Sequence, residues 1–133
     1  MKLLKNSIVF VALSLILFQS CKSEPELTME RGNYFYANGN YAAAESEFKK
    51  IILKYPEIGI LDNPEIEILA HAYQQLALSQ AQLANQASNQ RARSIDYQHA
   101  LDNITKAESL AIREGKRAQY RETRLGIEQN LNQ

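Results

Sequence analysis

Residues 32–56, GNYFYANGNYAAAESEFKKIILKYP, decide the fold of this chain. Small residues at Gly32 and Ala44 leave room for two helices to approach closely, and the aromatic rings of Phe35 and Phe48 can fill the seam beside that contact. The spacing therefore predicts two antiparallel helices in which Gly32 faces Ala44.

The residues between these positions predict where each helix ends. Gly39 follows the expected end of the first helix, where glycine adopts a left-handed backbone most easily, and Asn40 can cap the next helix. Pro56 lacks an amide hydrogen and ends the second helix. Between these signals the apolar residues recur at helical period, at positions 41, 44, 48, 51, 52 and 55. We therefore expect helices of roughly 24–38 and 41–55.

The gaps between these residues resemble those of the tetratricopeptide repeat, a helix–turn–helix unit with the pattern Gly-x-x-Tyr, Ala-x-x-x-Phe and a closing Pro. The matching residues here are Gly32, Phe35, Ala44, Phe48 and Pro56. The resemblance implies an all-α array in which helical hairpins stack side by side. An ordinary helical hairpin is the alternative, which would share the periodicity but not the fixed small and aromatic positions.

A second, altered copy of the pattern follows the first. Its small positions, Ala70 and Ala100, are 30 residues apart, whereas those of the first copy are 12 apart (32 to 44), so 18 residues have been added. Eighteen residues correspond to about five helical turns. The insertion, 78–95, is therefore either a pair of lengthened helices that turn near Ser88-Asn89-Gln90 or a loop.

Further start and stop signals divide the rest of the chain. Asp62-Asn63-Pro64-Glu65 predicts a helix start with proline in its first turn, and residues 23–26 form a capping box for the first helix. We expect the second helix of the altered copy to run from near Asp96 to Gly115, and a last helix, roughly 116–131, to cover the end of the stack. The predicted fold is all-α: about two repeats, the second with an extended hairpin, plus a C-terminal capping helix.

Residues 1–20 have the pattern of a signal peptide: two lysines and then an uncharged run from Ile8 to Phe18. That run is shorter than the roughly 20 apolar residues needed to span a bilayer. Cys21, the only cysteine, follows it closely and resembles the lipobox cysteine of bacterial lipoproteins. The resemblance implies cleavage before Cys21, a lipid on its sulfur and a mature domain of 21–133. The alternatives are a plain signal peptide with an incidental cysteine and an uncleaved anchor.

The lipoprotein resemblance also implies a location. Such a protein is held at a membrane of the bacterial cell envelope. Lys22 stands where many inner-membrane lipoproteins carry aspartate, which favours the outer membrane over the inner one.

Composition gives no indication of nucleic-acid binding or catalysis. The chain has 15 basic and 15 acidic residues, and without the two lysines of the signal peptide the balance is 13 to 15. Its two histidines, His71 and His99, have no metal-binding spacing, and neither a phosphate loop nor a nucleophile elbow is present. We therefore expect no enzyme, no metal and no cofactor, and we interpret the basic residues of 113–124 as a solvated helix face.

The tetratricopeptide resemblance implies that a partner protein or peptide lies along the concave surface formed by the first helix of each hairpin. The family's usual exposed positions correspond to six candidate partner-binding residues: Met29, Asn33, Tyr36, Glu67, His71 and Gln74. We interpret the chain as a lipid-anchored interaction module of the envelope. The alternatives are a subunit of an outer-membrane assembly complex and a structural lipoprotein that self-associates. The sequence names neither the partner nor the oligomeric state.

Overall fold

The computed structural model describes residues 21–133, which form five packed α-helices and contain no strand. The helices are α1 (Glu24–Ala37), α2 (Tyr41–Lys54), α3 (Asn63–Gln86), α4 (Gln90–Leu110) and α5 (Glu114–Leu131), with a short 3-10 helix, Ile58–Ile60, between α2 and α3. Each helix packs against the next, and α3 also contacts α1 and α5. The predicted all-α class is confirmed, whereas the predicted signal peptide, 1–20, lies outside the described residues. None of the helices described is both long enough and apolar enough to cross a bilayer.

The predicted capping box at Ser23 is present, and the predicted start of α3 at Asp62 also has one. Ser23 Oγ accepts a hydrogen bond from the Glu26 N–H at 3.5 Å, and the Glu26 carboxylate accepts one from the Ser23 N–H at 2.7 Å. At the start of α3, Asp62 Oδ1 accepts from the Glu65 N–H at 2.9 Å, and Glu65 accepts from the Asp62 N–H at 3.1 Å. These bonds satisfy amide donors that a first helical turn leaves unpaired, so α1 and α3 begin where the sequence predicts.

The turn between α1 and α2 depends on a glycine with a left-handed backbone. Gly39 has a φ of 75°. Its N–H donates to the Tyr36 carbonyl at 3.0 Å, and the Asn40 N–H donates to the Phe35 carbonyl at 2.9 Å, which together form a Schellman motif. Asn40 Oδ1 then caps α2 by accepting a hydrogen bond from the Ala43 N–H at 3.2 Å. The predicted end of one helix and start of the next are both confirmed.

Gly32 lies against Phe48. A Cβ atom placed on Gly32 would lie 2.4 Å from Phe48 Cε1, and the three nearest atoms all belong to that ring. Phe48 and Ala44 are both fully buried. The expectation that Phe48 fills the seam beside Gly32 is therefore confirmed, since the missing side chain of Gly32 makes room for this ring of α2. The direct approach of Gly32 to Ala44 stays a prediction.

The inserted segment, 78–95, lengthens both helices of the second hairpin. Only residues 87–89 separate α3 from α4. Asn89 Oδ1 accepts a hydrogen bond from the Ala92 N–H at 2.8 Å. Because this asparagine caps α4, the helix begins at Gln90 and not near Asp96 as predicted.

The end of α4 also differs from the prediction. The helix ends at Leu110, where Ala111 adopts an extended backbone, and Gly115 lies in the first turn of α5. The early end lets α5 fold back so that Tyr120 enters the core formed with α3 and α4. The Arg117 guanidinium donates to the Ala111 carbonyl at 2.9 Å and so satisfies an acceptor at this helix end.

Helix α3 divides the core into two clusters. The first-hairpin cluster joins α1, α2 and one side of α3 and contains Met29, Ala44, Phe48, Ile51, Ala72 and Leu76. The second-hairpin cluster joins the other side of α3 to α4 and α5 and contains Ala70, Ala77, Ala81, Ala84, Tyr97, Ala100, Ile104, Ala107, Ala111, Tyr120 and Ile127. Most of the side chains that α3 supplies to these clusters are alanines.

Replacement of Gly32 by alanine should destabilise the fold. The new methyl group would overlap the Phe48 ring, which is itself fully buried, so the ring or the helices would have to shift. Overpacking of this kind lowers the free energy of unfolding by about 1–3 kcal/mol, which thermal or denaturant unfolding would detect.

Gly126→Ala is the matched control. Gly126 is also helical, but a Cβ atom there would meet no atom within 4 Å. Removing a helical glycine without a clash should stabilise by roughly 0.5–1 kcal/mol. If Gly32→Ala and Gly126→Ala both raised or both lowered the free energy of unfolding, the close approach of Gly32 and Phe48 would be contradicted.

Candidate functional site

A cleft of about 320 Å³ opens between the start of α3 and the start of α5. The cap at Asp62 sets where α3 begins, and the end of α4 at Leu110 sets where the chain turns toward α5. The connection 111–113 forms one wall. The lining residues are Pro64, Glu67, Ile68, Ala70, His71, Ala111, Ile112, Arg113, Lys116 and Tyr120.

The floor of this cleft is apolar. Ala70, Ala111 and Tyr120 have exposed fractions of only 1%, 5% and 2%. The two alanines leave space that larger side chains would fill. Burial raises the pKa of the Tyr120 phenol, and the Glu67 carboxylate raises it further, so the hydroxyl group is neutral at ordinary pH.

One side of the rim is an ion pair between α3 and the 111–113 connection. Arg113 Nε lies 2.9 Å from Glu67 Oε1, and Arg113 Nη2 donates to Glu67 Oε2 at 3.1 Å. The contact is bidentate, which fixes the relative position of the two side chains. Both are substantially exposed, so the pair contributes at most about 1 kcal/mol to stability. Its main effect is to define the shape of the rim.

Lys116 supplies a positive charge that has no carboxylate partner among residues 21–133. Its ammonium group donates a hydrogen bond to the Gln119 side-chain oxygen at 3.3 Å. The neighbouring cations of α5 and the connection, Arg113 and Arg117, are both paired with glutamates. An unpaired ammonium group beside an apolar floor is complementary to a carboxylate that arrives next to an apolar group.

His71 is half-buried on α3 and faces the cleft. Burial lowers the pKa of its imidazole, and the nearby Lys116 ammonium lowers it further. His71 Nε2 lies 3.1 Å from the amide nitrogen of Gln75. The two side chains are therefore within hydrogen-bond distance of each other. No group of three or more His, Cys, Asp or Glu side chains within 21–133 is placed to hold a metal ion.

The two candidate residues with surface access on α1 lie away from this cleft. Asn33 is exposed, and Tyr36 is half-buried against the first-hairpin cluster. The Tyr36 ring meets the Tyr41 ring edge to face, with centroids 5.2 Å apart. Their role in partner binding remains a prediction, and Tyr36 already has a packing role.

The other two candidate residues are not exposed, contrary to expectation. Met29 is 7% exposed and belongs to the first-hairpin cluster, because α2 and α3 both cover this side of α1. Gln74 is 4% exposed, and its amide donates to Thr123 Oγ1 at 3.4 Å. The last helix therefore covers part of the surface that the resemblance assigns to a partner.

The basic residues of α5 attach that helix to α4. Arg121 and Arg124 each place Nε 2.9 Å from an oxygen of Glu108, and Arg124 also pairs with Glu128 at 2.7 Å. Hydrogen bonds from Arg124 and then Arg121 hold the pKa of the Glu108 carboxyl group below its ordinary value. The predicted solvated face thus includes the ion pairs that dock α5.

Sequence reasoning missed the wall of the cleft formed by Ala111 and Ile112. Their position depends on where α4 ends, and Leu110 carries no stop signal such as glycine or proline. Glu67 and Arg113 are 46 residues apart, so no local pattern could connect them.

Acidification should destabilise the protein through His71. Its pKa in the folded state is below the ordinary value of 6.5, so the unfolded chain binds the proton more readily. The corresponding stability is fully present above pH 6.5 and is lost as the pH falls through that value toward the folded-state pKa. We expect the melting temperature to fall more between pH 7.5 and 5.5 in His99→Gln, which retains only His71, than in His71→Gln. Equal falls would contradict the prediction.

Comparisons with models of protein families, with curated proteins and with solved structures gave no match.

Proposed function

We propose that this protein is a lipid-anchored interaction module of the bacterial envelope that receives a segment of a partner protein in the cleft between α3 and α5. The observation that carries the proposal is the cleft itself, which combines an apolar floor with the unpaired ammonium group of Lys116 and the neutral imidazole of His71. Concave apolar sites with a few polar groups are the usual form of binding sites. Glu67 and His71, which the resemblance nominates, both line it.

The partner segment has a defined chemistry under this proposal. The floor accepts an apolar side chain, and Lys116 accepts an adjacent carboxylate, either an acidic side chain or a chain terminus. The cleft is about 320 Å³ in volume, which suits one or two residues of a peptide segment. The remaining contacts of such a segment would lie on the first turns of α3.

A tetratricopeptide-like array is part of the proposal. It is supported by the contact of Gly32 with Phe48, by the Schellman turn at Gly39 and by the direct contacts of α3 with α1 and α5. In such an array the first helices of successive hairpins line one surface. Here that surface comprises α1 and α3, and α5 covers its far end as a capping helix.

The lipid anchor is supported by the position of Cys21. Its thiol is free and exposed, and only two residues separate it from α1. A lipid there would leave the helices and both core clusters unchanged. We favour an outer-membrane location because Lys22 stands where many inner-membrane lipoproteins carry aspartate.

Self-association is a second candidate function, favoured by exposed apolar residues on one surface of α1. Leu27 and Tyr34 are 44% and 66% exposed there, and together with Glu30, Arg31 and Phe35 they line a shallow apolar depression. A second copy of the chain could cover this surface. A subunit of an assembly complex would instead use the cleft, and the identity of the captured partner would distinguish that role from a simpler scaffold.

Intact-mass measurement of the protein purified from bacterial membranes tests the anchor. We expect a mature chain that begins at Cys21 and carries added acyl mass. Where a residual peptidase still removes the signal peptide, Cys21→Ala should release the protein from the membrane fraction, since a thioether bond requires the sulfur. A chain that begins at Cys21 without acyl mass would contradict lipidation.

Charge reversal at Lys116 tests the cleft. In quantitative co-purification from detergent-solubilised envelopes, Lys116→Glu should reduce capture of the partner at least about tenfold, which is the effect of losing a contact worth about 1.4 kcal/mol. Lys106→Glu, on an exposed part of α4, is the matched control and should leave capture unchanged.

Two further results of this experiment would redirect the proposal. Loss of capture by Tyr36→Ala, but not by Lys116→Glu, would move the site to α1. Recovery of only the protein itself, as a homo-oligomer by light scattering, would favour self-association.

A further inference from the structure

The five helices place one set of helix ends together with Cys21. Lys54, the last residue of α2, lies 2.6 Å from Glu24, the first residue of α1. Arg113, just before α5, is paired with Glu67 in the second turn of α3. We call this the Cys21 end: it contains the starts of α1, α3 and α5, the ends of α2 and α4, and the connections 55–62 and 111–113.

The Cys21 end carries four of the seven exposed large hydrophobic residues within 21–133, including Leu27, whereas Tyr34 and Ile95 lie toward the opposite end. Leu53 in the last turn of α2 is 78% exposed, and Ile60 in the 55–62 connection is 79% exposed. Ile112, in the other connection, is 44% exposed. These include the two most exposed large hydrophobic residues within 21–133.

The opposite end has a different character. Its connections are the turn after α1, Asn38-Gly39-Asn40, and the segment Ala87-Ser88-Asn89 between α3 and α4. These are mostly small and polar residues, and the end of α5 lies beside the second of them. The two ends of the array therefore differ chemically: one exposes large apolar side chains in its connections, and the other exposes small and polar ones.

The short tether between Cys21 and α1 determines which end of the array faces the membrane. Three peptide units separate Cys21 from Glu24, a reach of about 10 Å when fully extended. A lipid on Cys21 therefore holds the Cys21 end, and not the opposite end, against the bilayer surface. Apolar side chains at that depth gain free energy by leaving water for the boundary between head groups and acyl chains.

We propose that the Cys21 end is a lipid-contacting surface on which Leu53, Ile60 and Ile112 enter the interface of the bilayer that holds the anchor. The inference rests on the proposed lipidation of Cys21. The opposite end, with the 87–89 connection, then points away from the membrane. The cleft beside Ile112 opens close to the lipid surface, which favours a partner segment that also lies near the membrane.

The contact is apolar and not driven by basic residues. Three basic residues at this end, Lys22, Lys54 and Arg113, are each paired with a glutamate. Lys116 lacks a carboxylate partner among residues 21–133, but it is a single charge beside the cleft. The carboxylates of the two capping boxes add negative charge. Anionic lipids should therefore not be required for the contact.

Tryptophan quenching by brominated lipids tests this surface directly. The chain contains no tryptophan, so Leu53→Trp and Ile60→Trp each introduce a single tryptophan at an exposed position, which can be excited apart from the seven tyrosines. The lipidated full-chain products are purified from membranes and reconstituted into phosphatidylcholine vesicles with or without bromine on the acyl chains. We expect both tryptophans to lose fluorescence in the brominated vesicles, with no further loss when anionic lipid is added.

Ile95→Trp is the matched control. Ile95 is an exposed isoleucine in the second turn of α4, near the opposite end, and its replacement should show no quenching. Equal fluorescence of the Leu53 and Ile60 variants in both kinds of vesicle would overturn the proposal. Equal quenching of all three variants, or quenching that requires anionic lipid, would overturn it as well.

Failure of the anchor is distinguishable from failure of this surface. If intact mass shows no acyl chain, the single thiol of Cys21 is coupled to a maleimide lipid and the same vesicles are used. Quenching of the Leu53 and Ile60 variants then supports the lipid-contacting surface although natural lipidation has failed. Its absence overturns the surface in either preparation.

Discussion

Short side chains allow α3 to be packed on two sides at once, and the positions of the other helices depend on this. Ala72 and Leu76 meet α1 and α2, while alanines on the other side of α3 meet α4 and α5: Ala70, Ala77, Ala81 and Ala84. A side chain that ends at Cβ lets two helix backbones approach closely, so tightly packed cores form on both sides of one helix. The small residue Gly32 has the same function in α1, where it admits the Phe48 ring.

Polar side chains cross this apolar framework and fix how the helices are aligned. The buried amide of Gln80 on α3 donates to Glu45 of α2 at 3.1 Å and accepts from Asn103 of α4 at 2.7 Å. Gln74 makes a weaker bond to α5. Every buried side-chain nitrogen or oxygen in 21–133 has a partner, so these groups specify alignment without leaving unsatisfied polar atoms.

The proposed interactions follow from the unequal chemistry of the two ends of the array. Capping at Asp62 and the early end of α4 bring Glu67, Arg113 and Lys116 to the same end as Cys21. The cleft, the exposed apolar residues and the proposed anchor therefore lie together. A module with this arrangement would meet its partner next to the lipid surface, and α5 would restrict the accessible part of α3 to its first turns.

The sequence by itself determined the helical class, the start of α3 and the turn at Gly39, because capping boxes and a left-handed glycine depend on residues a few positions apart. It also offered a turn near residues 88–90 as one of two alternatives for the inserted segment, and it nominated two of the residues that line the cleft. Only the tertiary structure decided that α4 ends at Leu110 and that α5 covers Gln74. These outcomes depend on contacts between residues far apart in the chain, whose free energies a local pattern does not contain.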